Sequence, residues 1–223
     1  MAAARHHGDC QSRHHRDWRR CGHVVERHHH RVGHGGLVVL PLAFNLTGKR
    51  VLVLGAGRVA GSKIALLDAA GADITVITTE VLEPVPDSAT LFVRPYQPGD
   101  LEGFQLVISA TGVGAVNDLV VAEAKSRGIW LNVVDDPSRC DFYFTAVHRD
   151  GPVIVSVSTE GSAPALAQYV RDLVRSALPK NLSAVARRLR SERDSMHDEG
   201  ISTESISWRA RIDELVAEET TTD

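Results

Sequence analysis

Two adjacent carboxylates, Asp135 and Asp136, are the side chains of this sequence best suited to acid–base chemistry. They follow the apolar run Trp130–Val134, whose β-branched and aromatic residues predict a buried strand. In parallel α/β sheets, ligands bind outside the carboxyl ends of the strands. Either carboxylate could therefore act as a general base there, although Pro137, directly after Asp136, favours a turn role for that residue.

A second cluster with chemical meaning is the glycine turn, Gly55–Ala56–Gly57–Arg58–Val59–Ala60, which has the order G-x-G-x-x-A. Gly55 permits a tight turn, Gly57 allows the backbone to approach a pyrophosphate, and Ala60 is small enough for close packing of a helix on a sheet. A helix that begins there directs free N–H groups and its positive dipole end at the phosphates. The glycine turn therefore predicts a dinucleotide site.

The residues after the second predicted strand bear on which dinucleotide binds. An acid usually holds the adenosine ribose at this point, whereas here Thr78 and Thr79 precede Glu80. Glu80 could take that role or be a solvated loop acid. No Lys or Arg lies between residues 72 and 92 to bind a 2′-phosphate, so the sequence favours NAD over NADP.

The elements that must position these residues alternate between strand and helix. Predicted strands cover Arg50–Leu54, Ile74–Ile77, Leu91–Val93, Leu106–Ala110 and Trp130–Val134, and predicted helices cover Val59–Ala70 and Val116–Arg127. This alternation is typical of a Rossmann-type α/β fold with a doubly wound parallel sheet. A small α+β module and a helical tail follow: the runs Phe142–Val147 and Val153–Val157 flank His148–Gly151 and predict a hairpin, and Ala163–Leu178 predicts a helix.

Composition limits the domain organisation. The chain has 223 residues, 43% of them hydrophobic, and a formal net charge of −3. Residues 1–36 hold seven arginines against three acids and nine of the eleven histidines, so we interpret them as a disordered arm or as the product of a misassigned start. The histidines there lack the ligand spacing of a zinc site, and we expect no bound metal. We expect a nucleotide domain over residues 37–141, a small module over 142–178 and a helical segment over 179–223.

Composition also argues against several classes of function. No apolar run is long enough to cross a membrane, and three cysteines without repeating spacing do not indicate a disulfide framework, which favours a reducing cytoplasm. The part after residue 36 is acidic overall, and we expect no nucleic-acid binding. Besides an NAD-dependent dehydrogenase, two alternatives stay open: a generic NAD-dependent reductase, weakened because no Tyr-x-x-x-Lys pair occurs, and a non-enzymatic NAD-sensing module.

Several longer motifs resemble the precorrin-2 dehydrogenase family, the NAD-binding module of siroheme synthases. The resemblance covers Leu40–Pro179 and includes the glycine turn followed by Lys63, Asn132–Pro137, Cys140–Phe144 and Ser158–Pro164. It implies NAD-dependent oxidation of precorrin-2 to sirohydrochlorin, and in some members the insertion of ferrous iron as well. It also implies a homodimer formed through the hairpin and the helix after it, residues 142–178.

The family's functional residues map onto this sequence position by position. The resemblance places the catalytic aspartate at Asp135. The positions that correspond to NAD contacts are Gly55, Gly57, Arg58, Val59, Thr79 and Glu80, and Thr111 is a further cofactor-binding candidate.

Two positions depart from the family pattern. Gly112 follows Ala110–Thr111 where the family usually has an aspartate, on the nicotinamide side of the site. Glu160 and Ala163 replace a glycine and a serine of a later loop, and Glu160 adds a negative charge near a substrate that is itself a polycarboxylate. Such a substrate requires cations, for which the candidates are Arg171, Arg175, Lys180, Arg187, Arg188, Arg190 and Arg193.

Overall fold

The computed structural model describes residues 39–204 and 206–221, without the side chains of residues 220 and 221. The predicted arm over residues 1–36 lies outside the described residues. The strands are β1 (Arg50–Ala56), β2 (Asp73–Val81), β3 (Thr90–Val93), β4 (Leu106–Ser109), β5 (Trp130–Val133), β6 (Ala146–Asp150) and β7 (Val153–Val157). The helices are α1 (Arg58–Ala69), α2 (Gly114–Arg127), α3 (Pro164–Ala177), α4 (Leu182–Asp198) and α5 (Arg209–Thr221), with a short 3-10 helix at Pro137–Arg139. A search of the described helices finds none with the length and hydropathy that a membrane span requires.

Most of the strands belong to one parallel sheet, in the order β3-β2-β1-β4-β5. Every neighbouring pair in it is parallel, which confirms the predicted doubly wound arrangement. Residues Val51–Leu54 of the central strand β1 are at most 1% exposed, because both faces of the sheet are covered. Since the strands are parallel, the glycine turn after β1 and Asp135 after β5 lie at the same edge of the sheet.

Separate apolar clusters cover the two faces of this sheet. On one face, Ala60, Ile64 and Leu67 of α1 pack against the strands, as their helical spacing predicts. On the other face, Val120 and Ala124 of α2 pack in the same way. This packing holds each helix on its face of the sheet, so that the beginning of each helix has a fixed position at the sheet edge.

The predicted hairpin is present, but its predicted boundaries were wrong. β6 begins at Ala146 and not at Phe142, and it continues through His148 to Asp150, which pairs with Val153. The turn is therefore Gly151–Pro152 alone. The cause is that Phe142 and Phe144 pack against the core on the α1 side of the parallel sheet, so that one apolar run is divided between two parts of the fold.

After the hairpin, α3 belongs to the predicted small module and ends at Ala177, and α4 and α5 form the predicted helical tail. α3 contacts both strands of the hairpin, and α4 contacts α5. Ion pairs join these last two helices: Arg211 contacts Glu192 at 2.6 Å, and Arg188 contacts Glu218 at 2.6 Å.

Candidate active site

The glycine turn joins the end of β1 to the beginning of α1. Gly57 is the N-cap residue of α1 and provides no side-chain cap. The first helical hydrogen bond runs from the Gly61 N–H to the Gly57 carbonyl, at 2.9 Å. The N–H groups of Arg58, Val59 and Ala60 therefore have no acceptor within the helix. They are the donors that a bound pyrophosphate would use.

The steric reason for a glycine differs between the two glycines of the turn. Gly55 has a φ of 105°, and a Cβ at this position would lie 2.6 Å from the Ala110 carbonyl oxygen at the end of β4. At Gly57, a Cβ would meet no heavy atom within 4 Å, so the space in front of the helix is open. A tight turn followed by an open cradle at a helix N-terminus fits a dinucleotide.

The ribose side of the site differs from the prediction in one respect. β2 does not end at Ile77 but continues to Val81, so Thr79 and Glu80 are exposed residues within the strand. The buried Thr78 hydroxyl donates to the Glu80 carbonyl at 2.6 Å, so this polar side chain is hydrogen-bonded within its own strand. After the strand, the Leu82 and Glu83 N–H groups donate to the Ala56 carbonyl, and this bond brings the chain back to the glycine turn.

Glu83, which the sequence reasoning did not single out, follows β2 close to α1. A Cβ on Gly61 in the first turns of α1 would lie 3.1 Å from the Glu83 Cβ, so the stem of this side chain lies beside the first turns of the helix. The signal was present, because Glu83 is the acid closest after Glu80. It was obscured by the expectation that the second strand ends at Ile77.

Thr111 lies after β4, where Gly112 takes a left-handed conformation with a φ of 66°. The hydroxyl groups of Ser109 and Thr111 both donate to the Asn117 side-chain oxygen, at 2.7 and 3.0 Å. The Val113 N–H donates in turn to the Thr111 hydroxyl oxygen at 3.2 Å. Asn117, which the sequence reasoning did not single out, therefore ties Thr111 to the first turns of α2.

The two adjacent carboxylates after β5 have different surroundings. Asp136 accepts a hydrogen bond from Ser138 at 2.7 Å and forms an ion pair with Arg139 at 2.9 Å. Asp135 is exposed and adopts a left-handed conformation with a φ of 62°. Among the described residues, nothing forms a hydrogen bond or an ion pair with the Asp135 carboxylate. The structure thus leaves Asp135 available for chemistry and uses Asp136 in the turn, as Pro137 predicts.

The Cys140 thiol contacts the backbone of this turn. It accepts a hydrogen bond from the Val133 N–H and lies within donating distance of the Val133 and Asp136 carbonyls, all at 3.2 Å. Burial raises the pKa of the Cys140 thiol, which keeps it protonated and able to donate. Asn132 adds a further bond, from its side-chain amide to the Phe142 carbonyl at 2.9 Å.

A second loop, Thr159–Ser162, lies beside the turn that carries Asp135. A Cβ on Gly161 would lie 3.2 Å from the Tyr143 ring and 3.5 Å from the Pro137 Cβ, and the Tyr143 hydroxyl donates to the Pro137 carbonyl at 3.1 Å. Glu160 in this loop is exposed and has a φ of 53°. The departure at Glu160 therefore lies in a loop that passes close to Pro137, two residues after Asp135.

The predicted cations for the substrate lie on or beside α3 and α4. Arg171 forms an ion pair with Asp172 at 2.9 Å, and Arg188 forms one with Glu218 at 2.6 Å, so each of these two already has an anionic partner. Arg190 and Arg193 line a groove of about 590 Å³ between α4 and α5, together with Trp208. Among the described residues, no group of three or more His, Cys, Asp or Glu could hold a metal ion.

The fold and the open cradle at the glycine turn define the class of protein: a Rossmann-type dinucleotide-binding protein with an appended α+β module. Residues 42–146 match the family model described as "Putative NAD(P)-binding", which supports the predicted NAD cofactor.

Sequence comparison with similar proteins indicates a particular family. The chain is 40% identical over 151 residues to "Siroheme synthase 2" of Aeromonas hydrophila and 39% identical over 153 residues to "Siroheme synthase" of Methylococcus capsulatus. Each match covers 66% of this chain and 32% of the relative. Over this segment the chain is similar to siroheme synthases, which supports the family that its motifs predict.

A solved structure titled "SirC, precorrin-2 dehydrogenase" has the same fold, with a TM-score of 0.61 and 22% sequence identity. The match covers 81% of this chain and 88% of that one. It confirms the fold class, including the small module and the helical tail after the parallel sheet. The chain spans about a third of the length of the curated relatives that it matches. The activity of those relatives therefore does not follow for this chain from the similarity alone.

Proposed function

We propose that this chain is an NAD-dependent dehydrogenase that oxidises precorrin-2 to sirohydrochlorin. The observation that carries the proposal is the unpaired carboxylate of Asp135, at the same edge of the sheet as the open cradle of the glycine turn. An NAD-sensing module would not need such a carboxylate. The names of the similar siroheme synthases and of the solved precorrin-2 dehydrogenase support the choice of a tetrapyrrole of siroheme synthesis as substrate.

The reaction is a two-electron oxidation in which the substrate loses a hydride and a proton. Bound NAD supplies the hydride acceptor. Asp135 accepts the proton, directly or through one water, because its carboxylate has no competing partner in the described part of the chain. Its exposure means that the bound macrocycle itself has to exclude water from the carboxylate. Asp136, held by Ser138 and Arg139, keeps the backbone of the turn in place.

The dinucleotide in this proposal is NAD and not NADP. Over residues 72–92, which include β2 and most of β3, the chain has no Lys or Arg. The next cation, Arg94, is engaged by both oxygens of Asp100, at 2.7 and 2.8 Å. The residues that follow β2 therefore offer a 2′-phosphate no cation before Arg94, whereas the ribose hydroxyl of NAD can use Thr79, Glu80 or Glu83.

Iron insertion is an extension of the same proposal. A carboxylate that accepts a proton from carbon can also accept the pyrrole N–H protons and serve as a transient oxygen ligand for ferrous iron. Ferrous iron is then a substrate of the chain. Addition of ferrous iron to the chain with sirohydrochlorin tests this step: faster conversion to the siroheme spectrum than without protein supports it, and an equal rate contradicts it.

We further propose a homodimer in the reducing cytoplasm, where Cys140 stays a free thiol. The large side chains Leu166, Tyr169 and Leu173 of α3 are all more than half exposed and repeat at intervals of three and four residues. A row of this kind on one helix face fits burial against its own copy across a two-fold axis.

The experiment that tests the activity is an ultraviolet–visible assay of the purified chain with precorrin-2 and NAD. We expect the absorbance of the more conjugated product to appear together with NADH, in equal amounts. The matched reactions omit NAD, replace it with NADP, or omit the chain. Turnover with NADP equal to that with NAD would contradict the cofactor choice, and an unchanged spectrum with both would exclude the dehydrogenase.

A further inference from the structure

Lys63 is a cation that the reaction described above does not use. It lies on α1, three residues after Ala60 of the glycine turn, and its side chain is half-buried. Its Nζ lies 4.2 Å from the centroid of the Phe144 ring. Among the residues that the structure describes, no carboxylate forms an ion pair with it. Burial lowers the pKa of this ammonium group, so the fold bears a cost to keep a charge here.

The surroundings of Lys63 belong to the edge of the sheet that carries the glycine turn and Asp135. Side chains of a helix lean toward its N-terminus, and α1 begins at this edge, so Lys63 extends toward it. Phe144 packs with Phe142 against the same core as Ala110 and Val134, the residues directly after β4 and β5. Val134 in turn precedes Asp135. The ring that the ammonium group contacts therefore belongs to the core on the α1 face of the sheet, which includes the residues directly after β4 and β5.

We propose that Lys63 binds a carboxylate of the tetrapyrrole substrate and so selects for polycarboxylate macrocycles. This inference rests on the proposed function. A half-buried cation on an aromatic ring, without an internal anion, is prepared for an external one, and a carboxylate can bind it while the ring of Phe144 stays in contact with the lysine stem. Of the candidate cations of α3 and α4, Arg171 and Arg188 already form ion pairs with acids of the chain.

The substitution Lys63→Met tests this assignment, because methionine keeps the length and packs on an aromatic ring but has no charge. We expect KM for precorrin-2 to rise about 10- to 100-fold, as for loss of a charged hydrogen bond. We expect kcat to change by less than about threefold, and the thermal midpoint to stay equal or rise because an unpaired charge leaves a half-buried place. Lys63→Arg keeps the charge and should retain most of the affinity.

The matched control is Lys125→Met, the same substitution at an exposed lysine of the last turn of α2. It changes the net charge equally and should leave KM for precorrin-2 within about twofold. Calorimetry with NAD identifies the other anion that Lys63 could bind. A weaker NAD affinity in Lys63→Met with unchanged KM for precorrin-2 would assign the lysine to the pyrophosphate and overturn the proposal.

Direct binding separates this inference from the proposed activity. Quenching of tryptophan fluorescence by sirohydrochlorin measures tetrapyrrole affinity without turnover. If the wild-type chain binds the tetrapyrrole but does not oxidise precorrin-2, the dehydrogenase proposal fails, and a weaker affinity of Lys63→Met still supports the role of Lys63. Equal affinity of the two proteins, or no binding by either, overturns it.

Discussion

Arg139 forms an ion pair with Asp136 at 2.9 Å, and the same guanidinium reaches Asp118 of α2 at 2.6 Å. The turn after β5 is thereby tied to the helix that begins at the same edge of the sheet. Asp135, one residue earlier, takes no part in this network. Two neighbouring residues of the same type are thus divided between holding the turn and facing the solvent, where the substrate binds in our proposal.

The first prediction concerns this division. Asp135→Asn keeps the size of the side chain but removes the base, so turnover of precorrin-2 should fall by about 10²- to 10⁴-fold. The NAD affinity should not change, because the glycine turn is untouched. Initial rates in the absorbance assay and calorimetry with NAD measure the two quantities on the same preparation.

Asp136→Asn is the matched control for this prediction. It removes the ion pair with Arg139 but leaves the Asp135 carboxylate in place, so we expect a much smaller loss of turnover. An inactive Asp136→Asn together with an active Asp135→Asn would reverse the two roles. Normal turnover in both would mean that water or the carboxylates of the substrate remove the proton.

A second prediction concerns the cradle in front of α1. Gly57→Asp places a negative side chain in the space that is open in the structure and that the pyrophosphate would occupy. We expect NAD binding to become undetectable by calorimetry while the circular dichroism spectrum stays that of the wild type. Unchanged NAD affinity would show that the dinucleotide does not bind at this turn.

A third prediction concerns Glu160, which holds a left-handed backbone conformation at a position where glycine is at no steric disadvantage. Glu160→Gly relieves a conformational cost of about 1–2 kcal/mol, part of which the freer unfolded chain offsets. We expect equal or slightly higher thermal stability and a lower KM for precorrin-2, since a charge that repels the substrate is removed.

Glu160→Gln separates the two effects, because it keeps the backbone conformation and removes only the charge. It should lower KM as Glu160→Gly does, without the gain in stability. If KM stays constant in both variants while the enzyme is active, the Thr159–Ser162 loop does not face the substrate.

A fourth prediction concerns the exposed apolar row of α3. Tyr169→Glu puts a charge at its centre, where the wild-type side chain is 62% exposed in the single chain. Burying this charge in a two-fold interface would be costly, so sedimentation of the variant should show a monomer where the wild type is a dimer. Gln168→Glu, at the exposed position next to it on α3, should leave the dimer intact. A monomeric wild type at micromolar concentration would contradict the interface.

The parallel sheet could be predicted from the sequence because its strands are short apolar runs that end at turn-forming residues such as glycine. Val51–Leu54 ends at Gly55, and the helix after it presents Ala60, Ile64 and Leu67 at helical spacing. Gly71 has a φ of 71° and follows α1, and this left-handed conformation is a common way for a helix to end. Such local signals predict the structure correctly where no long-range contact overrides them.

The predictions failed where a distant contact decides the local structure. Phe142 and Phe144 alternate with polar residues as in a strand, but the sheet core accepts their rings and the hairpin starts later. The extension of β2 to Val81 is not visible in the sequence, because Thr78, Thr79 and Glu80 interrupt the apolar pattern of the strand. In the structure the Thr78 hydroxyl bonds to the backbone of Glu80. The pairing of Arg188 with Glu218 joins two helices, and no spacing within either helix reveals it.

The Cys140 thiol has a consequence for how the turn that carries Asp135 can be followed in solution. Its sulfur contacts backbone groups on both sides of Asp135 and the Asn132 side-chain amide, so opening of the turn releases the sulfur from the Asp136 carbonyl. A thiol reagent whose reaction at Cys140 is followed separately from that at Cys10 and Cys21 therefore reports the rate of this opening. Its labelling rate slows when a ligand holds the turn closed, which gives a measure of occupancy at the sheet edge without any substrate being converted.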